Sequence, residues 1–178
     1  APREGSGIAF GSFNALPKLS PETLAAYAAV LGTVPGSRLV LKATALEGAA
    51  ARNVLLARLA AAGIGPERVE LLRPTATTAE HLALYGKVDI ALDPFPYNGT
   101  TTTCESLWMG VPVVAMEGDR HAARVGVSLL SAAGLPELVG RSVGEYVRIA
   151  AELAGDPSRL GDLRRSLRER VRGSVLCD

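Results

Sequence analysis

The sequence predicts an α/β fold, in which a parallel sheet is covered by helices on both faces. Two observations support this class. Short apolar runs alternate with longer segments of helical periodicity along the 178 residues. The apolar runs are continuous, as in the LVL core of residues 38–42, whereas a strand with one face in water would alternate apolar and polar residues. Buried strands that are each followed by a helix form parallel sheets through right-handed crossovers.

The first half of the chain predicts three β-α units. Ser20 caps the first helix, and Pro21 occupies its first position, where a missing N–H costs nothing. Gly63 ends the second helix, and Thr77 or Thr78 caps the third. The expected strands are residues 8–13, 38–42 and 69–72, and the expected helices are residues 21–32, 49–62 and 78–86.

The second half continues the alternation and ends in two helices. Asp119 or His121 begins a helix that ends at Gly134, Ser142 caps the next one, and Asp156 opens the last. The expected strands are residues 88–92, 111–116 and 138–139, and the remaining helices are residues 102–109, 143–153 and 157–172.

The composition fits one lobe over residues 1–178 and argues against several partners. Lys+Arg is 19, Asp+Glu is 18 and aromatics make up 4%, so neither the basic surface nor the stacking platform of a nucleic-acid-binding protein is expected. No run is apolar and long enough to span a membrane. Cys104 and Cys177 form no disulfide framework, so we expect a reducing, cytoplasmic compartment. The two histidines are too far apart to give a metal-binding spacing.

The run from Asp89 to Pro112, DIALDPFPYNGTTTTCESLWMGVP, carries the strongest functional signal. An apolar strand ends in a Pro-rich turn, and Asn98, Gly99 and a run of threonines then lead into a helix. Free backbone N–H groups and hydroxyls at a helix N-terminus bind phosphate well. Glu105 follows one turn later, and a carboxylate near a phosphate site indicates a nucleotide or a nucleotide sugar.

A purely structural interpretation fits part of the same run. Thr102 as the N-cap and Glu105 three residues later would form a capping box. A capping box needs only one threonine, however, and anion binding accounts for the others, including Thr100 and Thr101.

Further candidates follow the other predicted strands, at the edge of the sheet where ligands bind in such folds. Asn14 and Lys18 follow the first strand, and a lysine ammonium suits a phosphate leaving group. His81 begins the helix after the third strand and is placed to contact a base. The alternatives are a turn asparagine, a solvated lysine and a surface histidine. A second group (Arg120, His121 and Arg124) fits a charge cluster at a helix start better than a contact to phosphate or acceptor.

Taken together, these segments resemble the bacterial proteins of the O-GlcNAc transferase (SPINDLY-like) family. The resemblance rests on GSFNALPKLSP, VPGSRL, AEHL, DIALDPFPYNGTTTTCESLWMGVPVV and GDRHAARVG, which occur in order and with matching spacing over essentially the whole chain. It implies the C-terminal, donor-binding lobe of a GT-B glycosyltransferase, which is one of two Rossmann-like lobes. It also implies that the chain is a fragment of a longer protein with an N-terminal lobe and tetratricopeptide repeats (TPR).

The family usually transfers GlcNAc from UDP-GlcNAc to Ser or Thr hydroxyls of an acceptor protein or peptide, and plant SPINDLY-type members use GDP-fucose. The resemblance therefore implies inverting transfer from a UDP-sugar, and we expect it to need no metal and no cofactor. The alternative is a nucleotide-sugar-binding module without catalytic activity of its own, because the facing lobe is not in the sequence.

The resemblance also implies roles for single residues. Lys18 matches the lysine that contacts the donor diphosphate and stabilises the leaving UDP. Ala76 matches the position whose backbone reads the uracil, and His81 matches the histidine that packs on the base.

The remaining roles fall on the threonine run and its flanks. Thr101 and Thr102 match the threonines at the diphosphate, and Glu105 matches an acidic residue that accepts ribose hydroxyls. Asn98 and Gly99 fit the turn itself. Four positions depart from the animal enzymes and leave the base and the sugar open: Ala15 in place of a glutamine, Thr78 of a lysine, Leu84 of an arginine and Thr100 of a histidine.

Overall fold

A computed structural model describes residues 7–178, so the first six residues of the predicted lobe lie outside the description. Six parallel strands form one sheet in the order β3-β2-β1-β4-β5-β6. The strands are β1 (Ala9–Ser12), β2 (Arg38–Lys42), β3 (Val69–Leu72), β4 (Ile90–Leu92), β5 (Val113–Met116) and β6 (Val139–Gly140). The predicted α/β class and parallel sheet are confirmed.

Seven α-helices connect and follow these strands within residues 7–178. Ser20 and Ser142 cap their helices through the side chain as expected, and Thr77 forms a full capping box with Glu80. The helices are α1 (Pro21–Thr33), α2 (Ala49–Ala61), α3 (Thr78–Ala83), α4 (Thr101–Trp108), α5 (Val125–Ala132), α6 (Val143–Ala154) and α7 (Pro157–Arg172).

The strand order places helices on both faces of the sheet. The chain moves in one direction from β1 to β3 and in the opposite direction from β4 to β6. Because such crossovers are right-handed, α1 and α2 cover one face, and α4 and α5 cover the other. The packing agrees, since α1 contacts α2 and α6, whereas α4 contacts α5 and α7. The predicted Rossmann-like arrangement is therefore confirmed.

The core lies along the central strands. Phe10 of β1 pairs in register with Leu39 of β2 and with Ile90 of β4, and all three side chains are fully buried. Burying each such side chain stabilises the fold by about 1.5–3 kcal/mol relative to leaving it in water. This rigid centre fixes the loops that follow β1, β2 and β4.

Some element bounds differ from the sequence prediction. The helix expected from Asp119 or His121 begins only at Val125, after a short 3-10 turn over His121–Ala123. The segment is held by bonds outside any helix, because Ala122 accepts a backbone hydrogen bond from Asn98, in the loop after β4. The third helix likewise changes to a 3-10 turn at Leu84–Lys87. Strands β4 and β5 are shorter than predicted, and β6 lies one residue later.

Within residues 7–178, each helix is too short or too polar for a transmembrane span.

Candidate functional site

The strand order reverses between β1 and β4, and the predicted site residues gather there. In open α/β sheets, ligands bind outside the carboxyl ends of the strands at such a switch point. Phe13 and Asn14 follow β1, and Asp93 follows β4, so the two loops meet at one edge. A hydrogen bond of 3.1 Å from Thr102 Oγ1 to Asn14 Oδ1 joins the β1 loop to α4.

The loop between β4 and α4 (residues 93–100), which we call the β4–α4 loop, is held by its own buried amide. Asn98 is 1% exposed, and its Nδ2 donates to the carbonyl of Pro94 at 3.0 Å. Its Oδ1 accepts from the backbone N–H of Gly126 at 3.2 Å. The Asn98 side chain therefore fixes the loop and the start of α5, and only its backbone faces the site.

Asp93 holds the other end of this loop. Its Oδ1 accepts from the backbone N–H of Gly99 at 2.8 Å and from Thr103 Oγ1 at 3.4 Å. A Cβ on Gly99 would lie 2.8 Å from that oxygen and 2.6 Å from Thr102 Oγ1, so only glycine fits this approach. On the other side, a Cβ on Gly126 would lie 3.1 Å from Asp93 Oδ2. The carboxylate is thus enclosed between two glycines.

Burial also changes the acidity of Asp93. The side chain is 2% exposed, and desolvation raises its pKa from 3.8 to about 7, although the Gly99 N–H and the charge of Lys18 oppose the shift. Its Oδ2 has no hydrogen-bond partner within residues 7–178. A cavity of about 10 Å³ beside Asp93 and Asn14 has room for one water molecule.

The N-terminus of α4 lies directly after this loop. Thr100 is the N-cap, yet its side chain makes no capping hydrogen bond. The first turn, with Thr101 and Thr102, therefore has backbone N–H groups with no side-chain cap, and partial positive charge collects there. The capping box considered for Thr102 and Glu105 is wrong, because Thr102 lies inside the helix.

Lys18 reaches this helix end from the β1 side. It ends a short 3-10 turn (Leu16–Lys18), and its Nζ donates to the carbonyl of Asn98 at 2.8 Å. The same Nζ lies 4.3 Å from the centroid of the Tyr97 ring. Partial burial lowers the pKa of the ammonium, while Asp93 opposes the change. The amine therefore lies against the β4–α4 loop, next to the start of α4.

A second cluster lies beside the first, on the β2 side. Lys42 Nζ is 2.6 Å from His81 Nδ1, and His81 Nε2 is 2.9 Å from Glu105 Oε2. The hydroxyl of Tyr85 donates to the same Glu105 oxygen at 3.0 Å. We call these four residues the Lys42–His81–Glu105–Tyr85 chain. Its His81 and Glu105 side chains remain about one-fifth exposed at the edge of the site (21% and 23%).

Ala76 lies exposed in the loop before α3, but its N–H is already used. It donates to Glu80 Oε2 at 3.0 Å, and the N–H of Thr77 donates to the same oxygen. A role for the Ala76 backbone in reading a base therefore falls to its carbonyl.

The structure thus brings Asn14, Lys18 and the β4–α4 loop together, with His81 and Glu105 beside them. Lys42, which the sequence places at the same edge after the second strand, also belongs here, and so do two residues that were not predicted, Tyr85 and Tyr97. Lys42 is the polar end of a buried strand, and Tyr85 follows His81 by four residues on one helix face, so a pattern pointed to both. Tyr97 gave no such signal.

The charged group after β5 fits the expected helix-start cluster. Arg124 forms an ion pair with Glu117 at 2.6 Å, and Arg120 lies 3.4 Å from Asp119. His121 is exposed and, with Arg124 and Thr100, lines a groove of about 280 Å³. Over residues 7–178, no three His, Cys, Asp or Glu side chains are grouped so that they could hold a metal ion.

Known proteins share both the sequence and the fold of this chain. The SPINDLY protein of Solanum lycopersicum, named "Probable UDP-N-acetylglucosamine--peptide N-acetylglucosaminyltransferase SPINDLY", is 48% identical over all of this chain and 19% of its own length. A Caenorhabditis elegans UDP-N-acetylglucosamine–peptide N-acetylglucosaminyltransferase is 36% identical over 88% of this chain and 13% of its own. The chain therefore spans about a fifth or less of the curated relatives it matches.

Solved structures agree. The O-GlcNAc transferase of Thermobaculum terrenum, solved as a lysine-to-methionine mutant, matches 97% of this chain with a TM-score of 0.89 and 45% identity. The match covers 33% of that structure. Sucrose-phosphate synthase of Thermosynechococcus elongatus matches with a TM-score of 0.69 at 19% identity, which supports the fold alone. The model of glycosyl transferase family 41 matches residues 3–178. With the switch-point geometry, these matches establish that the chain belongs to glycosyl transferase family 41.

Proposed function

We propose that this chain is the donor-binding lobe of an inverting, metal-independent glycosyltransferase. It moves GlcNAc from UDP-GlcNAc to Ser or Thr hydroxyls of an acceptor protein or peptide. The observation that carries the proposal is the meeting of Lys18 with the start of α4. The ammonium lies 2.8 Å from the carbonyl of Asn98, directly before a helix end without a side-chain cap.

This arrangement suits the departure of a nucleoside diphosphate. When the acceptor hydroxyl attacks the anomeric carbon, negative charge grows on the phosphate that leaves. Lys18 and the N–H groups of Thr101 and Thr102 stabilise that charge more in the transition state than in the ground state. The groups are fixed before the reaction, because Asp93 and Asn98 hold the loop through buried hydrogen bonds.

The nucleoside lies on the side of the Lys42–His81–Glu105–Tyr85 chain. In this proposal, His81 packs on the base, the Ala76 carbonyl reads its edge, and Glu105 accepts ribose hydroxyls. The curated relatives are named for UDP-N-acetylglucosamine, which supports this donor over a GDP-sugar.

The acceptor needs a second surface. We place it on an N-terminal lobe of the same protein, preceded by TPR repeats, because the chain spans only 19% of its tomato relative. The proposed location is the cytoplasm, and the free thiols of Cys104 and Cys177 are consistent with a reducing compartment.

Calorimetric titration of the chain tests the proposal. We expect heat with UDP, weaker heat with GDP, and the same UDP affinity in EDTA and in Mg²⁺. Heat with UDP but no transfer to peptide is expected for the chain alone, and transfer when the second lobe is joined. No heat with any nucleotide contradicts the proposal, and transfer that stays absent with both lobes favours the module that binds without catalysis.

A further inference from the structure

The Lys42–His81–Glu105–Tyr85 chain joins three separate elements. Lys42 is the last residue of β2, His81 lies in α3, and Glu105 lies in α4. Lys42 and His81 are 39 residues apart in sequence, and His81 and Glu105 are 24 apart. The row of hydrogen bonds therefore exists only in the folded lobe, at the edge proposed for the nucleoside.

The row has one arrangement of protons that satisfies every member. A lysine ammonium can only donate, so Nδ1 of His81 must accept from Lys42. A lysine amine binds a proton far more tightly than an imidazole does, so the shared proton stays on Lys42. The neutral imidazole then carries its own proton on Nε2, which donates to the Glu105 carboxylate at 2.9 Å. The opposite tautomer would set two donors against each other at Nδ1.

The surroundings hold the ring in this orientation. The His81 ring lies 6.0 Å from Phe13 and 5.7 Å from Tyr85, measured between centroids. Partial burial lowers the pKa of Lys42, and the charge of Glu105 opposes that change. The two charged ends thus face each other across a neutral ring.

This arrangement decides which oxygen of Glu105 is open to a ligand. Oε2 already accepts from His81 and from Tyr85. Within residues 7–178, no donor is bonded to Oε1, and the side chain is 23% exposed. Of the two, Oε1 is therefore the oxygen available to a diol.

We propose that Lys42 is a positioning residue of the nucleoside site: it holds His81 as the Nε2–H tautomer, so that Oε1 of Glu105 faces the hydroxyls of a bound nucleoside. This inference rests on the proposed function and adds a residue that touches no substrate itself. Its action passes through His81, in the way that an outer partner orients a metal-bound histidine.

The test uses long-range proton–nitrogen NMR of the imidazoles in the ¹⁵N-labelled chain, at a pH where they are neutral. The sequence has only two histidines, and His81→Gln identifies the signal. In the wild type we expect a protonated Nε2 and an unprotonated Nδ1. In Lys42→Met we expect both tautomers and a UDP Kd about fivefold higher, which corresponds to about 1 kcal/mol. Lys42→Arg should keep the wild-type tautomer of His81 and the wild-type UDP Kd, because guanidinium also only donates.

Lys87→Met is the matched control, since Lys87 pairs with Glu70 away from His81. It should change neither the His81 tautomer nor the UDP Kd. A wild-type Nδ1–H tautomer, or an unaltered His81 spectrum in Lys42→Met, overturns the inference. The wild-type measurement decides even where Lys42→Met does not fold.

An altered tautomer with an unchanged UDP Kd also overturns the positioning role. A wild-type chain that binds no nucleotide contradicts the proposed function. The tautomer is measured without a ligand, so this result and the result for Lys42 can be told apart.

Discussion

The β4–α4 loop and the Lys42–His81–Glu105–Tyr85 chain lie side by side, but they are built differently. In the loop, the side chains of Asp93 and Asn98 are buried and bonded within the protein, and the backbone N–H groups without a side-chain cap follow at the start of α4. In the Lys42–His81–Glu105–Tyr85 chain, side chains from separate elements bond to one another, and His81 and Glu105 among them remain about one-fifth exposed. A loop fixed by buried groups suits the diphosphate, which is the charged group common to all nucleotide-sugar donors. Side chains that reach the edge of the site suit the part of the donor that differs between nucleotides.

Lys18 should give the largest effect, because its ammonium lies against the β4–α4 loop at the carbonyl of Asn98. In the two-lobe protein, Lys18→Ala should lower kcat by a hundredfold or more, or about 3–4 kcal/mol, as expected for loss of one oxyanion donor. Lys87→Ala removes the same charge elsewhere and should leave kcat unchanged. Steady-state kinetics with a peptide acceptor measure both. A Lys18→Ala enzyme with normal kcat would remove Lys18 from the mechanism.

Asn98 tests whether the loop depends on its buried amide. Asn98→Ala leaves the Pro94 carbonyl and the Gly126 N–H without their side-chain partner in the interior. The free energy of unfolding should therefore fall by about 2–3 kcal/mol. Urea titration measures this change. Asn53→Ala, on the exposed face of α2, is the control and should stay within about 0.5 kcal/mol of wild type. Equal stability of the two variants would mean that the loop is held by other contacts.

Asp93 gives the stability of the protein a dependence on pH. Its pKa in the folded protein, about 7, lies above the ordinary 3.8, so the folded state binds this proton more tightly. The free energy of unfolding should therefore fall as pH rises from 3.8 to about 7, by at most about 1.4 kcal/mol per pH unit.

Asp93→Asn should flatten this slope, as measured by urea unfolding at several pH values. Asp162→Asn makes the same change on the exposed surface of α7, where the side chain is 70% exposed, and should keep the wild-type slope. If Asp93→Asn kept the slope, another group would be responsible for it.

Glu105 should give the smallest effect. Comparing UDP with uridine distinguishes its role from that of Lys18. Glu105→Gln weakens a hydrogen bond to the ribose, so UDP and uridine should both bind more weakly by about 1 kcal/mol, and their affinity ratio should stay constant. Lys18→Ala should instead lower UDP affinity and leave uridine affinity unchanged. Calorimetry with both ligands checks this contrast, and a loss confined to UDP in Glu105→Gln would place that carboxylate at the diphosphate.

The sequence predicted the elements well, because capping residues and buried apolar runs are local signals. Ser20, Thr77 and Ser142 cap the helices that they were expected to cap. The late start of α5 was not predicted. The segment before it is held by a hydrogen bond from Asn98, which lies far away in the sequence and gives no local signal.

The sequence predicted which candidate residues lie together but not how they are bonded to one another. Asn14, Lys18 and Thr102 were expected at one edge, and they meet there. That the Asn98 side chain is used inside the loop could not be read from the sequence, because an NG turn looks the same whether the amide faces water or protein. The bond between Lys42 and His81 depends on the order of β2 and β1 in the sheet, which the local pattern does not specify.

The two glycines around Asp93 set a limit on how this lobe can diversify. A methyl group at position 99 would collide with Asp93 Oδ1, and one at position 126 would collide with the Cβ of Ala115 and lie tightly against Asp93 Oδ2. Glycine at position 99 is therefore required while the acid remains, glycine at position 126 is required by Ala115 as well, and a randomised library selected for folding should return glycine at both.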